Sequence, residues 1–260
     1  MKTKLIDKAG KAGKELDLPK IFSQKIRTDI LAKVFEAQKK SEMQAYGAMK
    51  GAGAGYSASG IIKRKRHDWK TSYGKGISRV PRKIMSRSGA SFNWIGATVS
   101  NTRGGRRPHA PRAEKNPFSK INKNELKIAY TSALSGTVDG ASIQKKYPST
   151  ESGFVFSGEI LGLKTKEFFT ILKSLFGENE SKILKVKKVR AGIGKMRGRK
   201  YKVSSGLLFV LASDEKMSRK GIKVVSVPEL RISDLSPNGE PGRLTCYTEK
   251  AIKELGERFN

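Results

Sequence analysis

The sequence has few residues of the kinds that hold metal ions, form disulfides or cross membranes. It contains one cysteine, Cys246, which excludes a disulfide framework and a cysteine-rich zinc site. Two histidines, His67 and His109, are too few for a histidine-based metal centre. No apolar run approaches the roughly 18 residues of a transmembrane helix, and residues 1–13 lack the apolar stretch of a secretory signal. We therefore expect an intracellular protein without a metal ion or cofactor.

Acidic residues are also scarce relative to basic ones. The chain of 260 residues has 54 Lys and Arg against 23 Asp and Glu, a net charge of +31 with neutral histidines. Such an excess favours a polyanionic partner. The hydrophobic content of 37% is low for a compact domain and too high for a wholly disordered chain. The composition thus predicts a folded domain joined to a charged segment that binds nucleic acid.

The scarcity of acids is greatest in residues 44–115. This segment has 16 Lys and Arg, 11 Gly and three Pro, against two acids, Asp68 and Glu114. It also lacks helical periodicity. Structureless loops of this length are uncommon in compact domains unless they are functional or disordered. We predict that 44–115 is an extended, irregular inserted loop and that 1–43 and 116–260 form one globular domain.

Periodic apolar patterns appear on both sides of that loop. The 206–212 run is apolar on both faces, as in a parallel sheet covered by helices. Alternation of strands with helices predicts an α/β fold: a mainly parallel sheet flanked by helices, in a Rossmann-like layered domain. The patterns place helices over 22–43, from the Asn122–Glu125 capping box, from a cap at Thr165 and from about Thr248, and strands over 154–156, 206–212 and 222–227.

The loop combines residue types that suit structured RNA. Glycines let the backbone approach phosphates, arginines fork onto phosphate oxygens, and aromatic rings stack on unpaired bases. The alternatives are a disordered basic linker or a localisation signal at 63–66, and the aromatic residues argue against a linker. The predicted phosphate contacts are Arg64, Arg66, Lys75, Arg79, Arg82, Lys83, Arg87, Arg103, Arg106, Arg107, Arg112 and Lys115, and the predicted stacking residues are Trp69, Tyr73, Phe92, Trp94 and His109.

A second basic stretch lies within the predicted globular domain. Residues 180–202 contain ten Lys and Arg and one acid. A solvated helix end would explain a charge run, but ten cations interspersed with glycines favour a second RNA contact. The predicted contacts are Arg190, Lys195, Arg197, Arg199 and Lys200.

Motifs of catalysis are absent from the sequence. Gly192-x-Gly194-x-x-x-Gly198 has the wrong spacing for a dinucleotide loop, and the glycines of 51–55 are not followed by Gly-Lys-Ser/Thr. No His-x-Glu, Cys-x-x-Cys or Gly-x-Ser-x-Gly pattern occurs. We predict that the protein is not an enzyme. The alternatives are an RNA-modifying enzyme that clamps its substrate with the basic loop, and a DNA-compacting protein.

Several short motifs occur in a fixed order along the chain. They are Ile26-Arg27-x-Asp29, Gln44-Ala45-Tyr46-Gly47, Gly74-Lys75-Gly76 with Val80-Pro81-Arg82, Phe92-Asn93-Trp94-Ile95-Gly96-Ala97, Gly104-Gly105-Arg106-Arg107-x-His109-x-Pro111, Arg190-Ala191-Gly192 with Arg197-Gly198-Arg199-Lys200-Tyr201, and Pro241-Gly242-Arg243-Leu244. Together they resemble the motifs of the L-four family of large-subunit ribosomal proteins, in its archaeal and eukaryotic form. Ala110 and Arg112 depart from the proline and lysine usual in the family but keep the chemistry, and the short C-terminus favours the archaeal form.

The resemblance implies a structural constituent of the cytoplasmic large ribosomal subunit. Its loop would thread into large-subunit rRNA, support assembly and help line the peptide exit tunnel, where it would meet the nascent chain. The expected neighbours are other large-subunit proteins, including the second protein of the tunnel constriction, with no membrane contact and no homo-oligomer. We place 86–102 nearest the tunnel, because it is a less charged, middle-to-distal part of the loop.

Overall fold

The computed structural model describes residues 2–58, 60, 62–148, 150 and 153–259. The chain divides into two compact units. One comprises residues 1–42 with 118–260 and is called the body here; the other comprises residues 43–117 and is called the arm.

Strands and helices are numbered along the whole chain. The strands are β1 (Lys2–Ile6), β2 (Ala12–Asp17), β3 (Arg82–Ser88), β4 (Ser91–Gly96), β5 (Phe154–Phe156), β6 (Lys187–Val189), β7 (Tyr201–Val203), β8 (Leu208–Leu211), β9 (Lys223–Ser226) and β10 (Thr245–Thr248). The α-helices are α1 (Thr28–Ser41), α2 (Lys123–Gly136), α3 (Gly140–Gln144), α4 (Thr165–Phe176), α5 (Glu180–Ile183), α6 (Ile232–Leu235) and α7 (Glu249–Phe259).

The body is built on a six-stranded mixed sheet in the order β2-β1-β5-β10-β8-β9. Every neighbouring pair is parallel except β1 and β2, which are antiparallel at one edge. The predicted α/β class with a mainly parallel sheet is therefore confirmed. The narrower Rossmann-like description is not confirmed by this strand order.

Helices cover both faces of this sheet. Successive side chains of each strand point to opposite faces, and both sets are apolar, so each face needs a covering layer. Val210 and Tyr247 pack in one apolar cluster with α1, α2 and α7, whereas Phe209 and Cys246 pack in another with α4. Phe209 meets Phe168 of α4 with ring centroids 5.9 Å apart. Fully burying one such side chain stabilises the fold by about 1.5–3 kcal/mol. The sheet therefore carries two cores, one on each face.

The first predicted helix begins later than its apolar spacing indicates. A 3-10 turn over Lys20–Ser23 is followed by non-helical residues, and α1 begins at Thr28. Side chains of α2 occupy the backbone donors of this link: Gln24 N–H donates to Ser135 Oγ at 3.1 Å, and Arg27 N–H to Ser132 Oγ at 3.3 Å. Because tertiary contacts satisfy these groups, the link does not need helical hydrogen bonds.

The capping box predicted at Asn122 and Glu125 forms only in part, and the cap predicted at Thr165 lies one residue earlier. Asn122 is the N-cap of α2, and its backbone N–H donates to the Glu125 carboxylate, but its own side chain caps nothing. Glu125 also binds Lys33 of α1, with Oε1 2.8 Å from Nζ. Thr165 is the first residue of α4 rather than its cap, which is Lys164.

Several strands lie where the apolar patterns do not predict them. β10 sits between β5 and β8 in the sheet, and all four of its residues are buried. The apolar patterns predict only a helix from about Thr248 here, so this strand is missed. The arm holds the β3–β4 hairpin, so it is not wholly irregular, and the body carries a separate β6–β7 hairpin.

Candidate RNA interface

Most cations that the sequence predicts as phosphate contacts are exposed on the arm. In the described part of the arm one ion pair is seen, between Lys63 Nζ and Asp68 Oδ2 at 3.5 Å. Its cations therefore remain largely uncompensated, which suits a polyanion. The exposed members of the predicted set are Arg64, Arg66, Arg79, Arg87, Arg103, Arg106, Arg107, His109, Arg112 and Lys115, with Trp69 and Tyr73, whereas Lys75, Lys83 and Phe92 are half-buried.

The β3–β4 hairpin organises the centre of the arm. Its ladder ends at the Ser88–Ser91 pair, and a two-residue turn follows in which Gly89 has a φ of 57°. Glycine at the first central position is what a type II′ hairpin turn requires. The hairpin tip over 88–91 is exposed and uncharged, and Arg87 is the nearest cation on it.

Arg82 lies inside the arm rather than on its surface. Its side chain is 5% exposed and donates to the carbonyl oxygens of Trp94 and Ser78, each at 2.6 Å. Burial lowers the pKa of this guanidinium. The placement differs from the phosphate contact predicted for Arg82, because main-chain oxygens already occupy its donors.

The predicted stacking residues of the hairpin mainly contact one another. Trp94, which is 8% exposed, meets Trp69 and Phe92 edge to face, with ring centroids 6.1 and 5.4 Å away. Lys75 Nζ lies 4.9 Å from the ring centroids of both Phe92 and Trp94. Such contacts stabilise the hairpin and leave Trp94 no face for a base. Trp69 is 45% exposed and keeps part of its ring open to solvent.

Two arginines share the ring of Tyr73. The guanidinium carbons of Arg66 and Arg79 lie 5.5 and 5.7 Å from its centroid. Both contacts fall within the range of cation–π attraction, so the ring holds two long cationic side chains near each other. Lys83 Nζ similarly lies 4.0 Å from the ring centroid of Tyr56, a residue outside the predicted set. Its occurrence next to the glycine-rich 51–55 stretch is the only signal that could have identified it.

The beginning and the end of the arm lie close together, with the backbone near Gly47 and Gly53 against the backbone of residues 105–113. A Cβ added at Gly47 would lie 2.4 Å from the Ala113 nitrogen, and one at Gly53 would lie 2.6 Å from the Arg106 nitrogen. Ala48 N–H also donates to the Pro111 carbonyl at 3.2 Å. Glycine is needed at both positions because any side chain would meet main-chain atoms.

The second predicted contact region forms the exposed β6–β7 hairpin of the body. Its connecting segment contains a 3-10 turn over Ile193–Arg197 that ends at Gly198, where φ is 76°. Two further exposed cations, Lys188 and Lys202, are not among the predicted contacts and stand opposite each other on the strands. Only the strand register shows that they are paired. The five predicted residues Arg190, Lys195, Arg197, Arg199 and Lys200 are all exposed.

A buried arginine fastens the base of this second hairpin. Arg243 is 3% exposed and donates to the carbonyls of Ser205, Gly206 and Asp234. Desolvation lowers its pKa to about 10. Ser205 and Gly206 connect β7 to β8, so Arg243 ties the returning strand of the hairpin to the sheet.

An enzyme of this fold class would be expected to bind its ligand at the carboxyl ends of strands such as β8 and β9. A cleft of about 370 Å³ opens there, lined by Leu211, Glu215 and Ser226 among others. The Glu215 carboxylate already accepts hydrogen bonds from Ala212 N–H and from the Thr248 hydroxyl, so it supports the local structure of this cleft.

Within the described ranges, no group of three or more His, Cys, Asp or Glu could hold a metal ion. No helix of the described chain is long and apolar enough to span a membrane.

Comparison with known proteins places the chain in one family. The family model described as "Ribosomal protein L4/L1 family" matches residues 16–258. A protein of Nanoarchaeum equitans named "Large ribosomal subunit protein uL4" is 37% identical over 94% of this chain and 93% of its own length. Proteins of the same name from Methanospirillum hungatei and Thermoplasma acidophilum are 34% and 35% identical, over 98% and 96% of this chain and 99% and 95% of their own lengths.

Proposed function

Because the chain belongs to the ribosomal protein L4/L1 family, we propose that it is a structural constituent of the large ribosomal subunit that binds large-subunit rRNA. The role is structural and not catalytic, and it locates the protein on the ribosome. The relatives named as large-subunit proteins match over nearly the whole chain, including both the body and the arm. The alternative of an RNA-modifying enzyme has no support from these relatives.

The observation that carries the proposal is the unbalanced charge of the arm. Its 16 cations face two acids, and most of the cations are exposed. Neutralising such charges with phosphates releases counterions from the RNA, which gives affinity that falls with salt. The Arg66–Tyr73–Arg79 group supports the same conclusion, since it holds two guanidinium groups near each other before any RNA is bound.

We propose further that the arm takes an extended path among rRNA helices and that 86–102 approaches the nascent chain in the exit tunnel. The exposed, uncharged hairpin tip over 88–91 supports this placement, because small neutral residues would bind a passing peptide weakly. Other large-subunit proteins, including the second protein of the constriction, would be its neighbours. The Rossmann-like description of the body remains a prediction of the same kind.

Co-sedimentation tests the central proposal. A tagged protein should travel with large subunits in a gradient at moderate salt, and its absence from that fraction would exclude the ribosomal role. Two sets of four Gln substitutions then compare the regions. One set replaces Arg79, Arg103, Arg106 and Arg107 of the arm, and the other replaces Arg190, Lys195, Arg197 and Arg199 of the body.

The arm set should stall subunit assembly, because the arm would have to order along the RNA with fewer partners. The body set should mainly weaken binding at high salt. Each lost phosphate contact flattens the log–log salt slope by about 0.7–0.9, so four contacts would reduce it by about three. Equal losses of mature large subunits from both sets would show that the arm has no special role in assembly.

A further inference from the structure

The β6–β7 hairpin exposes both charge and apolar surface. Residues 186–204 carry eight Lys and Arg and no acid. Five apolar residues in the same segment are at least half exposed. They are Val189 (55%), Ile193 (65%), Met196 (80%), Tyr201 (50%) and Val203 (51%).

The register of the two strands places two lysines opposite each other on one face of the hairpin. Val189 stands opposite Tyr201, and Lys188 stands opposite Lys202. In an antiparallel pair, opposite residues share a face and neighbours along a strand alternate between faces. One face of the ribbon therefore carries the Val189–Tyr201 pair together with Lys187, and the reverse face carries two lysines side by side.

The opposed lysines are unfavourable in the free protein. Like charges directly across an antiparallel pair destabilise it, and no carboxylate occurs within 186–204 to relieve them. A phosphate bound between the two ammonium groups would remove the repulsion and add two charge-assisted hydrogen bonds. The pairing thus costs stability unless an anion binds there.

The tip of the hairpin exposes its two most accessible apolar side chains, Ile193 and Met196, on the 3-10 turn. Lys195 and Arg197 lie within the same turn, and Arg190 lies shortly before it. Apolar side chains surrounded by cations are found where proteins insert a wedge between stacked bases while holding the adjacent phosphates. An acidic protein would supply the opposite charge but would not require lysines paired across a strand.

The hairpin is also fixed in position before it meets a ligand. Arg190 N–H donates to the Lys200 carbonyl at 2.9 Å, and Arg199 N–H to the Gly194 carbonyl at 2.9 Å, which closes the connecting segment. At the base, Arg243 ties the returning strand to the sheet, and Leu207 N–H donates to the Ile183 carbonyl at 2.8 Å. An isolated two-stranded ribbon is marginal in water, so these anchors maintain it.

We propose that this hairpin is a preformed RNA-binding ribbon, in which Lys188 and Lys202 clamp a phosphate and Ile193 and Met196 insert between neighbouring bases. The inference rests on the proposed rRNA-binding function and specifies how the body takes part in it. Binding needs little ordering of the hairpin, in contrast to the arm.

The phosphate clamp is tested with Lys188→Glu. This substitution places a carboxylate opposite Lys202, so backbone amide protection in β6 and β7 should rise a few-fold. Affinity for large-subunit rRNA transcribed in vitro should nevertheless fall about tenfold, and the salt slope should flatten by about one to two contacts. Lys250→Glu on α7 makes the same change of charge at an exposed helix site and should leave affinity within about twofold. Equal losses of rRNA affinity in both variants would show that only the net charge matters, which would overturn the phosphate clamp.

The base wedge is tested with Ile193→Ser combined with Met196→Ser. The charge is unchanged, so the salt slope should stay constant while affinity falls about tenfold at every salt concentration. Ile128→Ser on α2 removes a less exposed but still accessible apolar side chain, 41% accessible, outside the hairpin and should not change affinity. An unchanged affinity of the double variant would overturn the wedge. Loss of a large-subunit protein partner in place of RNA affinity would assign the tip to a protein contact instead.

A comparison of binding to large- and small-subunit rRNA distinguishes failure of the ribbon proposal from failure of the ribosomal proposal. If the unmodified protein binds large- and small-subunit rRNA equally at all salt concentrations, the ribosomal proposal itself fails. If it prefers large-subunit rRNA and both hairpin variants match it, only the ribbon proposal fails.

Discussion

At the scale of single residues, the role of a cation depends on what already occupies its donors. Arg82 and Arg87 lie on the same strand, yet Arg82 donates to the buried carbonyl of Trp94, whereas Arg87 is exposed and donates to the nearby Gly89 carbonyl. Both belong to the predicted phosphate contacts. The first supports the hairpin, and the second remains accessible to RNA.

Substituting these two arginines one at a time distinguishes stabilisation of the β3–β4 hairpin from binding of RNA. Arg82→Gln should remove most amide protection from the β3–β4 hairpin, because each lost hydrogen bond from a charged donor costs about 1.5–3 kcal/mol. Hydrogen exchange of 82–96 measures this loss. Arg87→Gln removes only one exposed hydrogen bond, to the Gly89 carbonyl, so it should change exchange much less and reduce RNA affinity at low salt. Similar exchange in both variants would contradict a supporting role for Arg82.

The phenol of Tyr247 predicts how stability changes at alkaline pH. It is buried in β10, and its hydroxyl lies 2.7 Å from Thr137 Oγ1. Burial raises its pKa well above the usual range. The folded protein therefore keeps this phenol neutral, while the unfolded chain ionises it near pH 10, so stability is lost as pH rises above that value.

Tyr247→Phe should consequently lower the free energy of unfolding at pH 8 by about 1 kcal/mol, through the lost hydrogen bond. Above pH 10 its stability should fall less steeply than that of the unmodified protein. Urea titrations at pH 8, 10 and 11 measure both effects. Parallel pH profiles would show that Tyr247 does not contribute to alkaline unfolding.

At the scale of elements, the two hairpins differ in how they are held. β3 and β4 depend on their turn and on the contacts of Trp94 with Trp69 and Phe92. β6 and β7 are almost bare of packing, and their base is anchored to the sheet through Arg243. The arm hairpin therefore depends on local contacts, whereas the body hairpin depends on the folded sheet beneath it.

A substitution in the turn of the arm hairpin tests whether local contacts stabilise the pairing of β3 with β4. Gly89→Ala forces a side chain into a positive φ, which costs about 1–2 kcal/mol. Amide protection across 82–96 should fall about tenfold or more. Ala90→Gly is the matched change at the neighbouring turn position, where φ is not positive, and should have a small effect. Equal protection in the two variants would show that the turn does not set the register.

At the scale of the whole chain, the body is assembled from two separated segments. β1 pairs with β5 in parallel register, with Leu5 opposite Val155, and Lys33 of α1 binds Glu125 of α2. The arm connects these segments in sequence. The body's sheet and cores therefore do not require an unbroken backbone through residues 43–117 once they have formed.

Limited proteolysis of the free protein should therefore cut first within 43–117 and leave the two body fragments associated. Arm residues supply abundant exposed Lys and Arg for trypsin and few buried apolar residues to resist opening. The measurement is gel filtration of the nicked protein followed by mass spectrometry of its fragments. First cuts clustered in 153–227 would contradict this division of the chain.

Sequence reasoning performs well where the signal is local and repeated. The apolar run at 206–212 correctly predicts buried β8, and Phe154–Phe156 is the predicted strand. It fails for β10, whose four residues form a run too short to separate from a helix start. It also fails for the start of α1, because Ser132 and Ser135 of α2 determine where that helix begins.

The amino-acid sequence by itself determined the charge, the lack of metal-binding and catalytic motifs, and the family, because composition and ordered motifs do not depend on folding. Only the tertiary structure decided that Arg82 and Trp94 are buried, that Lys188 opposes Lys202, and that Arg243 fastens the body hairpin. Each of these facts depends on contacts between residues apart in the chain. Burial and strand register arise from such contacts, and no local pattern of apolar or charged residues encodes them.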